Sequence, residues 1–306
     1  MDQHNLIIIL GATASGKTRL AVQLAEALDG EIISADSRQV FKRMDIGTGK
    51  DLHEYQINNK SIPYHLIDIL EPGGRYHVDA FKNDFYNAFE AVQQKSKIPI
   101  LCGGTGMYVH SLLQNQTFTA VPVNEGLRDQ LNLLSKEELI AKLSGDQNAN
   151  NGHVDLSSKK RLIRALEISE FLKHNQLEVI DRPLLNPVIF GLKNEVEVTR
   201  AKILTRLNER FESGLIEEVE QLLNEGISKE MLVFYGLEYK FIVNYLDGLY
   251  TLEELKLKLG IAICQYAKRQ NTFFRKMEKD NVHINWLDAS APANLLKQQI
   301  LQKVSS

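Results

Sequence analysis

Short apolar runs alternate with longer amphipathic stretches in the N-terminal third of the chain. The run Leu6–Leu10 is compact and rich in β-branched residues, which is typical of a strand buried on both faces of a parallel sheet. The stretch Thr18–Leu28 has apolar residues at helical spacing and many strong helix formers. The pattern continues with predicted strands at Glu31–Ser34, His65–Leu70 and Pro99–Cys102 and a predicted helix at Val78–Gln94. Alternation of this kind predicts an α/β fold with a parallel sheet flanked by helices.

From residue 121 to residue 187 the pattern becomes helical and charged. Ser135-Lys136-Glu137-Glu138 fits a capping box at the start of a helix, and a polar loop follows at Ser144–Gly152. A strand pattern returns at Val188–Leu192. We therefore interpret residues 121–187 as a helical insertion in an α/β domain that comprises residues 1–120 and 188–306.

The last third of the chain is mostly helical in pattern. Thr199–Glu225 and Thr251–Lys279 each predict one long amphipathic helix, and Thr251 with Glu254 forms a second capping box. Ile284–Leu287 predicts a final strand, and the residues after it are helical in pattern. The α/β domain is therefore expected to end in a helical C-terminal region.

Composition narrows the class of protein. With 43% hydrophobic and 25% charged residues, the 306-residue chain is expected to be globular rather than disordered. Its net charge of −3 means that any binding of nucleic acid has to come from locally clustered basic residues. Two cysteines, Cys102 and Cys264, argue against a zinc site or disulfide framework and are interpreted as structural residues. The early run Leu6–Leu10 is too short for a membrane span, so we expect a cytoplasmic enzyme without a membrane segment.

A phosphate-binding loop follows the first predicted strand and directly precedes the first predicted helix. The octapeptide fits G-x-x-x-x-G-K-[ST] and consists of Gly11, Ala12, Thr13, Ala14, Ser15, Gly16, Lys17 and Thr18. Its glycines permit backbone angles that let successive amides point at an anion, and the helix N-terminus reinforces them. Lys17 adds a positive charge, and the Thr18 hydroxyl can bind Mg²⁺.

A phosphate-binding loop predicts an anion and leaves the reaction open. The chain has no N-K-x-D sequence, only Asn59-Lys60-Ser61-Ile62, and no D-x-x-G, which argues against a GTPase. A small-molecule kinase, an ATPase, and a transferase that binds another diphosphate remain as alternatives.

Polar residues follow two further strands. Asp36 and Ser37 come after Glu31–Ser34, and Thr105 comes after Gly103-Gly104. Because the carboxyl ends of parallel strands border one crevice, these side chains are expected near the phosphate loop. On spacing alone, Asp36 and Ser37 could equally well cap a helix.

Several motifs occur together and in a fixed order. They are Gly11–Thr18, Ser34–Phe41 with Met44–Thr48, His65–Pro72, Gly103–Tyr108, Arg164–Glu167 and Ala267–Gln270. The ordered set, from about residue 7 to residue 276, resembles the tRNA dimethylallyltransferase family, also called isopentenyl-diphosphate:tRNA transferases. This family transfers a dimethylallyl group to N6 of the adenosine 3′ to the tRNA anticodon. The chain departs from the family pattern at Ala12, where proline is usual, at Cys264, where many members have arginine, and in an insertion that we expect to be short.

The resemblance implies specific catalytic roles. The phosphate loop would bind the diphosphate of dimethylallyl diphosphate with Mg²⁺, and Lys17 would stabilise the leaving group. Asp36 would accept the proton from the adenine amine, with Thr105 orienting the reacting groups and Arg210 contacting the diphosphate. Asp45 is the second candidate for the base, although it could instead cap a helix or pair with the neighbouring Lys42 or Arg43.

The resemblance also implies a tRNA-binding surface. Two basic clusters, Lys159–Arg164 and Lys268–Lys276, coincide with family motifs, and Tyr266, Phe273 and Phe274 accompany the second. The residues expected to contact tRNA are Asp36, Ser37, Arg38, Gln39, Thr105, Arg128, Lys160, Arg161, Leu162, Ile163, Arg164, Lys268 and Arg269. The target base would have to be flipped out of the anticodon loop. We expect the protein to be a monomer. Alternatives are a cytokinin-type adenylate isopentenyltransferase and an RNA-binding module without activity.

Overall fold

The computed structural model describes residues 4–114, 117–146, 156, 158–178 and 180–305. The chain divides into two compact units. The first consists of Met1–Gln114 and Pro183–Ser306, and the second consists of Asn115–Arg182. The sequence pattern places the corresponding insertion at residues 121–187.

The first unit is built on a parallel sheet. The strands of its described residues are β1 (Leu6–Gly11), β2 (Gly30–Ser34), β3 (Gln56–Ile57), β4 (Lys60–Ser61), β5 (Tyr64–His65), β6 (Ile98–Gly103), β7 (Pro187–Lys193) and β8 (Asn285–Asp288). Six of these, in the order β5-β2-β6-β1-β7-β8, form one sheet in which every pair is parallel, while β3 and β4 form a separate antiparallel hairpin. The carboxyl ends of β2, β6 and β1 therefore lie side by side, which brings together the segments that begin at Ala35, Gly104 and Ala12.

In the first unit, helices cover the sheet. In the described residues of the second unit, every regular element is a helix. The α-helices of the described residues are α1 (Lys17–Leu28), α2 (Val78–Gln94), α3 (Gly106–Leu113), α4 (Glu125–Asn132), α5 (Lys136–Ser144), α6 (Lys159–His174), α7 (Val196–Glu212), α8 (Leu215–Asn224), α9 (Lys229–Tyr235), α10 (Leu237–Leu246), α11 (Leu252–Lys279) and α12 (Ala293–Ser305). Two 3-10 helices lie at Leu52–Tyr55 and Thr117–Ala120. Within the described residues, no helix is both long and apolar enough to cross a membrane.

The sequence of β1 shows why the sheet is central. Leu6, Ile8 and Leu10 pack into the hydrophobic cluster on one face, whereas Ile7 and Ile9 pack into the cluster on the other face. All five side chains are buried. An uninterrupted apolar run is what a strand covered on both faces requires, so the predicted parallel α/β fold is confirmed.

The predicted third strand is wrong over most of its length. His65–Leu70 was expected to be extended, but the strand ends at His65. Leu66 and Asp68 have φ values of 63° and 55°, in the left-handed region, and this conformation breaks the extended backbone. Leu70 returns to the sheet only through an isolated parallel bridge to Phe41. The turn still matters, because it positions Asp68 for a contact described below.

The single helix predicted at Thr199–Glu225 is two helices. The chain breaks between α7 and α8 at Gly214, which has a φ of 97°. Glycine adopts this left-handed conformation without the steric cost that a Cβ atom imposes. The break ends α7 and begins α8, and both helices contribute residues to the site described below. The other predicted helices of this unit and the capping box at Thr251 are confirmed.

The second unit is a small helical body. Leu131, Leu139 and Leu162 meet in its hydrophobic core. The capping box predicted at Ser135 is confirmed, since its side chain accepts from the Glu138 amide and the Glu138 side chain accepts from the Ser135 amide. The predicted polar loop Ser144–Gly152 lies outside the described residues from position 147 onward, as do residues 155 and 157 of the neighbouring segment.

The cysteines behave as structural residues. Cys102 is buried in β6, and this burial raises the pKa of its thiol to about 12. Cys264 lies on α11 and is partly exposed. Because the thiolate is the reactive form, we expect a thiol reagent at neutral pH to modify Cys264 in the native protein and to leave Cys102 unmodified. Mass spectrometry should detect one label under native conditions and two in denaturant. Equally fast labelling of both cysteines would contradict the burial of Cys102.

Candidate active site

The phosphate loop has the predicted position between β1 and α1. Its backbone turns through left-handed conformations at Ala14 and Gly16, with φ values of 59° and 84°. The amide of Thr13 donates to the side-chain oxygen of Gln270 at 2.9 Å, so this part of the loop is fixed from within the protein. The start of α1 at Lys17 places the helix N-terminus at the loop, which favours an anion there.

An open cleft of about 880 Å³ adjoins the phosphate loop. Ala14–Thr18 form one wall, and residues of α7 form another. The remaining lining comes from the loop that follows β2, chiefly Asp45–Ile46 and Lys50–Glu54. The volume is sufficient for a small phosphorylated ligand.

Lys17 is the cation closest to the loop. Its Nζ atom lies 3.5 Å from the Ala12 carbonyl oxygen, and it has no carboxylate partner within salt-bridge distance among the described residues. Burial lowers the pKa of Lys17, while the nearby Asp36 carboxylate opposes this shift. A partly buried cation that has no ion-pair partner among the described residues is stabilised by an incoming anion, as a phosphate-binding lysine requires.

Two arginines face the cleft from α7. Arg210, predicted from the sequence, and Arg206, which was not predicted, lie one helical turn apart and both line the cleft. Arg206 donates to the Gly49 carbonyl oxygen at 3.2 Å and pairs with Asp51. Arg210 lies 3.4 Å from a carboxylate oxygen of Glu238; burial and the charge of Arg206 lower its pKa. The i, i+4 spacing of these residues on an amphipathic helix was the sequence signal for Arg206.

The loop that holds these arginines is fixed by one carboxylate. Glu218 accepts hydrogen bonds from the backbone amides of Asp45, Ile46 and Gly47 at 2.7, 2.7 and 2.9 Å. It also accepts from the Tyr239 hydroxyl at 2.8 Å. In the sequence, Glu218 was only one residue of the helix predicted at Thr199–Glu225, and no role was assigned to it.

Close packing accounts for the glycines of this loop. A Cβ atom at Gly47 would lie 2.6 Å from the ring of Tyr239. A Cβ atom at Gly49 would lie 1.7 Å from a guanidinium nitrogen of Arg210, and the φ of Gly49 is 61°. The Glu218 carboxylate, the loop and the two arginines therefore form one connected support for the cleft.

We expect Glu218→Gln to weaken the binding of inorganic diphosphate by ~10-fold. A hydrogen bond to a charged acceptor contributes ~1.5–3 kcal/mol, and the amide cannot accept from all three backbone donors as the carboxylate does. Calorimetry measures the affinity, and Glu217→Gln provides the control because Glu217 is exposed on the same helix. Equal affinities of Glu218→Gln and Glu217→Gln would show that the loop does not position the arginines.

Asp36 and Thr105 lie together at the carboxyl ends of β2 and β6. Asp36 Oδ1 accepts from the amide of Arg38 at 2.9 Å, so one oxygen caps the following turn. Oδ2 has no hydrogen-bond partner among the described residues. Thr105 Oγ1 accepts from the Ser37 amide at 3.2 Å, and the Thr105 amide donates to the Ala35 carbonyl oxygen. Asp36 therefore caps the following turn with Oδ1 and keeps Oδ2 available for another contact.

Asp45 has a different partner from those considered in the sequence. It pairs with Lys50 at 2.5 Å, whereas Lys42 and Arg43 pair with Glu71. Lys50 is buried and also contacts Asp68 and the Phe41 carbonyl oxygen. The proposed pairing of Asp45 with Lys42 or Arg43 is wrong, because the chain turns so that the buried Lys50 lies under Asp45.

Two glutamines connect the segments around the site. Gln270 on α11 donates to the Gly104 carbonyl oxygen at 2.9 Å while accepting from Thr13, so it joins two strand ends. Gln39, predicted to contact tRNA, donates to the Gly49 carbonyl oxygen at 3.0 Å, and its side-chain oxygen lies 3.2 Å from the Ser34 hydroxyl. Gln270 belongs to the Ala267–Gln270 motif, which was the signal for it, but the sequence could not identify its partners.

The second basic cluster is divided between surface and core. Lys268 and Arg269 are exposed on α11, and the Arg269 guanidinium lies 5.9 Å from the centroid of the Tyr266 ring. Phe274 is buried in the core, and the ring of Phe273 packs closely on Gly106. Tyr266 is therefore the exposed aromatic residue of the predicted set.

In the helical unit, Arg128 and Arg164 share one buried carboxylate. Glu167 accepts from Arg128 at 2.9–3.0 Å and from Arg164 at 2.7 Å, and together these bonds lower its pKa against the effect of burial. Leu162 and Ile163 of the predicted tRNA-contacting run are buried in the core of this unit. The exposed residues of the run are Lys160 and Arg161.

Several known proteins and two family models are similar to this chain. The family model described as IPP transferase matches residues 39–277, and a model described as isopentenyl transferase matches residues 4–62. A tRNA dimethylallyltransferase 2 of Phocaeicola vulgatus is 49% identical over 292 residues, covering 95% of each chain. One from Bacteroides fragilis is 47% identical over 304 residues, covering 98% of this chain and 99% of that protein.

Solved structures extend the likeness to the fold. The tRNA isopentenylpyrophosphate transferase of Bacillus halodurans has a TM-score of 0.72 and 32% identity, with 99% of this chain and 97% of that chain covered. The tRNA isopentenylpyrophosphate transferase of Staphylococcus epidermidis has a TM-score of 0.70 and 30% identity, with 98% of each chain covered. The family model matches most of this chain, and the two relatives match nearly all of it. These matches establish that this chain belongs to the IPP transferase family of tRNA dimethylallyltransferases.

Proposed function

We propose that this protein transfers a dimethylallyl group from dimethylallyl diphosphate to N6 of the adenosine 3′-adjacent to the anticodon of tRNAs. The products are N6-(dimethylallyl)adenosine and diphosphate. The observation that carries the proposal is the proximity of an anion-binding loop to a carboxylate that has one free oxygen. Lys17 of the loop and Asp36 influence each other electrostatically, and Asp36 Oδ2 is unpaired among the described residues.

The cationic side of the cleft suits the leaving diphosphate. Cleavage of the allylic C–O bond creates positive charge on the prenyl carbon and transfers the electron pair to the diphosphate oxygen. Amides of the loop, Lys17, and the two arginines of α7 supply donors and charge for this anion. Donors that are fixed before the reaction stabilise developing charge without reorganisation, which is usually the largest contribution to catalysis.

Mg²⁺ is compatible with the side chains at this site. Among the described residues, no group of three or more His, Cys, Asp or Glu residues could hold a metal ion. Mg²⁺, however, commonly binds through one or two protein oxygens together with substrate phosphates, and the Thr18 hydroxyl lines the cleft at the start of α1. Thr18 would hold the ion beside the diphosphate, where it would supply additional positive charge.

The acceptor amine reacts on the Asp36 side. The N6 atom of adenine is a weak nucleophile because its lone pair is delocalised into the ring. A new N6–C bond forms as the C–O bond breaks, and the released proton passes to the free oxygen of Asp36. Thr105 acts as the positioning residue, since its side chain already accepts from the Ser37 amide next to Asp36.

A tRNA acceptor accounts for the exposed basic residues outside the cleft. Lys268 and Arg269 on α11, and Lys160 and Arg161 in the helical unit, are exposed, as side chains that contact backbone phosphates have to be. The target base has to leave the anticodon loop to reach a carboxylate beside the sheet. The loop, Asp36, Thr105 and the arginines all belong to one chain, so we infer that a monomer is the active form and that it acts in the cytoplasm with its tRNAs.

Transfer of label from substrate to RNA tests the proposal. The protein is incubated with unmodified tRNA, Mg²⁺ and dimethylallyl diphosphate labelled in the prenyl group, and the RNA is digested to nucleosides. Label in N6-(dimethylallyl)adenosine from the position 3′ to the anticodon is expected, without consumption of ATP. Equally efficient transfer to AMP would support an adenylate isopentenyltransferase, and stoichiometric cleavage of ATP would support a kinase.

A further inference from the structure

An ion pair connects the cleft-lining helix α7 with the first turn of α10. Arg210 Nη1 donates to Glu238 Oε1 at 3.4 Å, and only 14% and 18% of the two side chains are exposed. No other carboxylate of the described residues forms an ion pair with Arg210. Because Arg210 lines the cleft, Glu238 can influence a ligand there through the guanidinium group.

The other nitrogens of the Arg210 guanidinium show how it is confined. Nη2 packs against Gly49, where a Cβ atom would lie 1.7 Å away from it. Nε is buried and has no hydrogen-bond partner among the described residues. A buried donor without an acceptor is costly, and an anion bound beside Arg210 would supply the missing acceptor. Glu238 therefore holds one side of the guanidinium and leaves Nε for a ligand.

The local backbone explains how a carboxylate comes to lie beside Arg210. Helix α9 ends at Tyr235, α10 begins at Leu237, and Gly236 between them has a φ of 156°. Residues with a Cβ atom rarely adopt this conformation, which places Glu238 in the first turn of α10. Burial raises the pKa of Glu238, while Arg210 opposes this shift. The helix N-terminus adds to the stabilisation of the negative charge.

The next residue of α10 supports the same cleft from a second direction. The Tyr239 hydroxyl donates to Glu218, whose carboxylate accepts from the amides of residues 45–47. The Tyr239 ring also packs on Gly47, as described above. Two consecutive residues of α10 therefore contact α7 and α8, so this helix fixes the arginine and the neighbouring loop relative to each other.

We propose that Glu238 is a positioning residue for prenyl transfer, because its carboxylate orients Arg210 towards the leaving diphosphate. This inference rests on the proposed function, in which Arg210 contacts the diphosphate. An arginine side chain has many rotamers, and ordering it before the reaction avoids reorganisation while negative charge develops. The hydrogen bond at Nη1 leaves Nε–H to donate to the diphosphate oxygen that receives the electron pair.

A double-mutant cycle tests this role. The single-turnover rate of prenyl transfer and the calorimetric affinity for inorganic diphosphate are measured for Glu238→Met, Arg210→Met and the double variant. Methionine supplies an unbranched apolar side chain without charge. Glu238→Gln retains an oxygen that can accept from Nη1. Glu230→Met is the control, because Glu230 lies in the first turn of α9 and is exposed.

Glu238→Met is expected to slow transfer ~10-fold and to weaken diphosphate binding ~3-fold, because Arg210 is present but no longer oriented. In the Arg210→Met background, the same substitution should have no further effect on either quantity, since Glu238 acts through Arg210. Glu238→Gln should keep the rate within ~3-fold of the wild type because the hydrogen bond survives. The Glu230→Met control should match the wild type in both measurements.

Thermal unfolding separates positioning from a contribution to stability alone. Each single methionine variant leaves one largely buried charge without its partner, so it should unfold at a lower temperature than the double variant, in which both charges are absent. The double variant should nevertheless transfer the prenyl group as slowly as Arg210→Met does. A double variant that regains the wild-type rate together with stability would overturn the inference.

The inference is also overturned if Glu238→Met slows Arg210→Met by the same factor as the wild type, or if Glu238→Gln is as slow as Glu238→Met. Tighter diphosphate binding by Glu238→Met at an unchanged rate would mean that Glu238 only offsets charge. If the wild type labels the tRNA adenosine and Glu238→Met does so equally fast, only the positioning role is wrong. If the wild type transfers no label, the proposed function is wrong, and the diphosphate affinities still show whether Glu238 acts through Arg210.

Discussion

Asp36→Asn should lower the single-turnover rate of prenyl transfer to tRNA by ~10²-fold or more, because the amide cannot accept the proton from N6. The substitution preserves the shape of the side chain, and the amide oxygen can still accept from the Arg38 amide, which keeps the turn intact. Affinity for dimethylallyl diphosphate and for tRNA should therefore remain within about twofold of the wild type. Rapid quenching with labelled dimethylallyl diphosphate, at saturating enzyme, measures the chemical step.

Asp45→Asn is the matched comparison, since Asp45 lines the same cleft. Its carboxylate pairs with the buried Lys50, so its loss should reduce thermal stability more than the chemical rate. A near wild-type rate for Asp36→Asn together with a severe loss for Asp45→Asn would assign the base to Asp45 instead.

What could be predicted from the sequence was mainly local. The phosphate loop and the strand before it lie within a short segment whose residue types dictate their conformation. Strands β1, β2, β6, β7 and β8 follow from apolar runs, and their parallel arrangement follows from the alternation with helices. The predicted strand at His65–Leu70 is wrong because an apolar run does not reveal backbone angles. The left-handed conformations of Leu66 and Asp68 end the strand, and no residue type in the run indicates them. The pattern also predicts neither α9 nor α10, which are short and meet at Gly236.

The support of the site could not be predicted, because its contacts join distant parts of the chain. Glu218 reaches amides more than 170 positions away, and Gln270 reaches Thr13 across 257 positions. Neither residue type implies such a partner, since glutamate and glutamine are ordinary residues in the sequence of an amphipathic helix.

These long-range contacts explain how one cleft can separate two kinds of chemistry. The cations lie with the phosphate loop and α7, where the Gly49 carbonyl oxygen accepts from Arg206 and Glu218 fixes the backbone of the loop before Gly49. Asp36 and Thr105 lie at the ends of the neighbouring strands. Gln270 joins the loop to the segment that carries Thr105. A displacement of the loop would therefore be transmitted to the acceptor side, so we expect diphosphate binding and amine positioning to be coupled.

Lys17→Ala should reduce prenyl transfer by ~10²–10³-fold, the loss that follows removal of one fixed donor from developing negative charge. Arg19→Ala is the control, because Arg19 is an exposed cation two positions further along the same helix. Its rate should remain close to that of the wild type. An equal loss in both variants would mean that general positive charge near α1, rather than the Lys17 amine, assists the reaction.

The pH dependence of ligand binding provides a second test of Lys17. Burial lowers its pKa in the free protein, so the protonated form that attracts diphosphate is lost as the pH rises through a value below that of an ordinary lysine. An anion bound beside the amine raises this pKa again, so proton uptake should accompany binding in the alkaline range. Calorimetry in buffers of different ionisation enthalpy measures this uptake for dimethylallyl diphosphate. Since Lys17→Ala lacks the amine but binds the same ligand, the difference between the two proteins isolates the contribution of Lys17. An identical proton uptake in both would mean that the Lys17 amine is already fully protonated at these pH values and that its charge does not depend on the ligand.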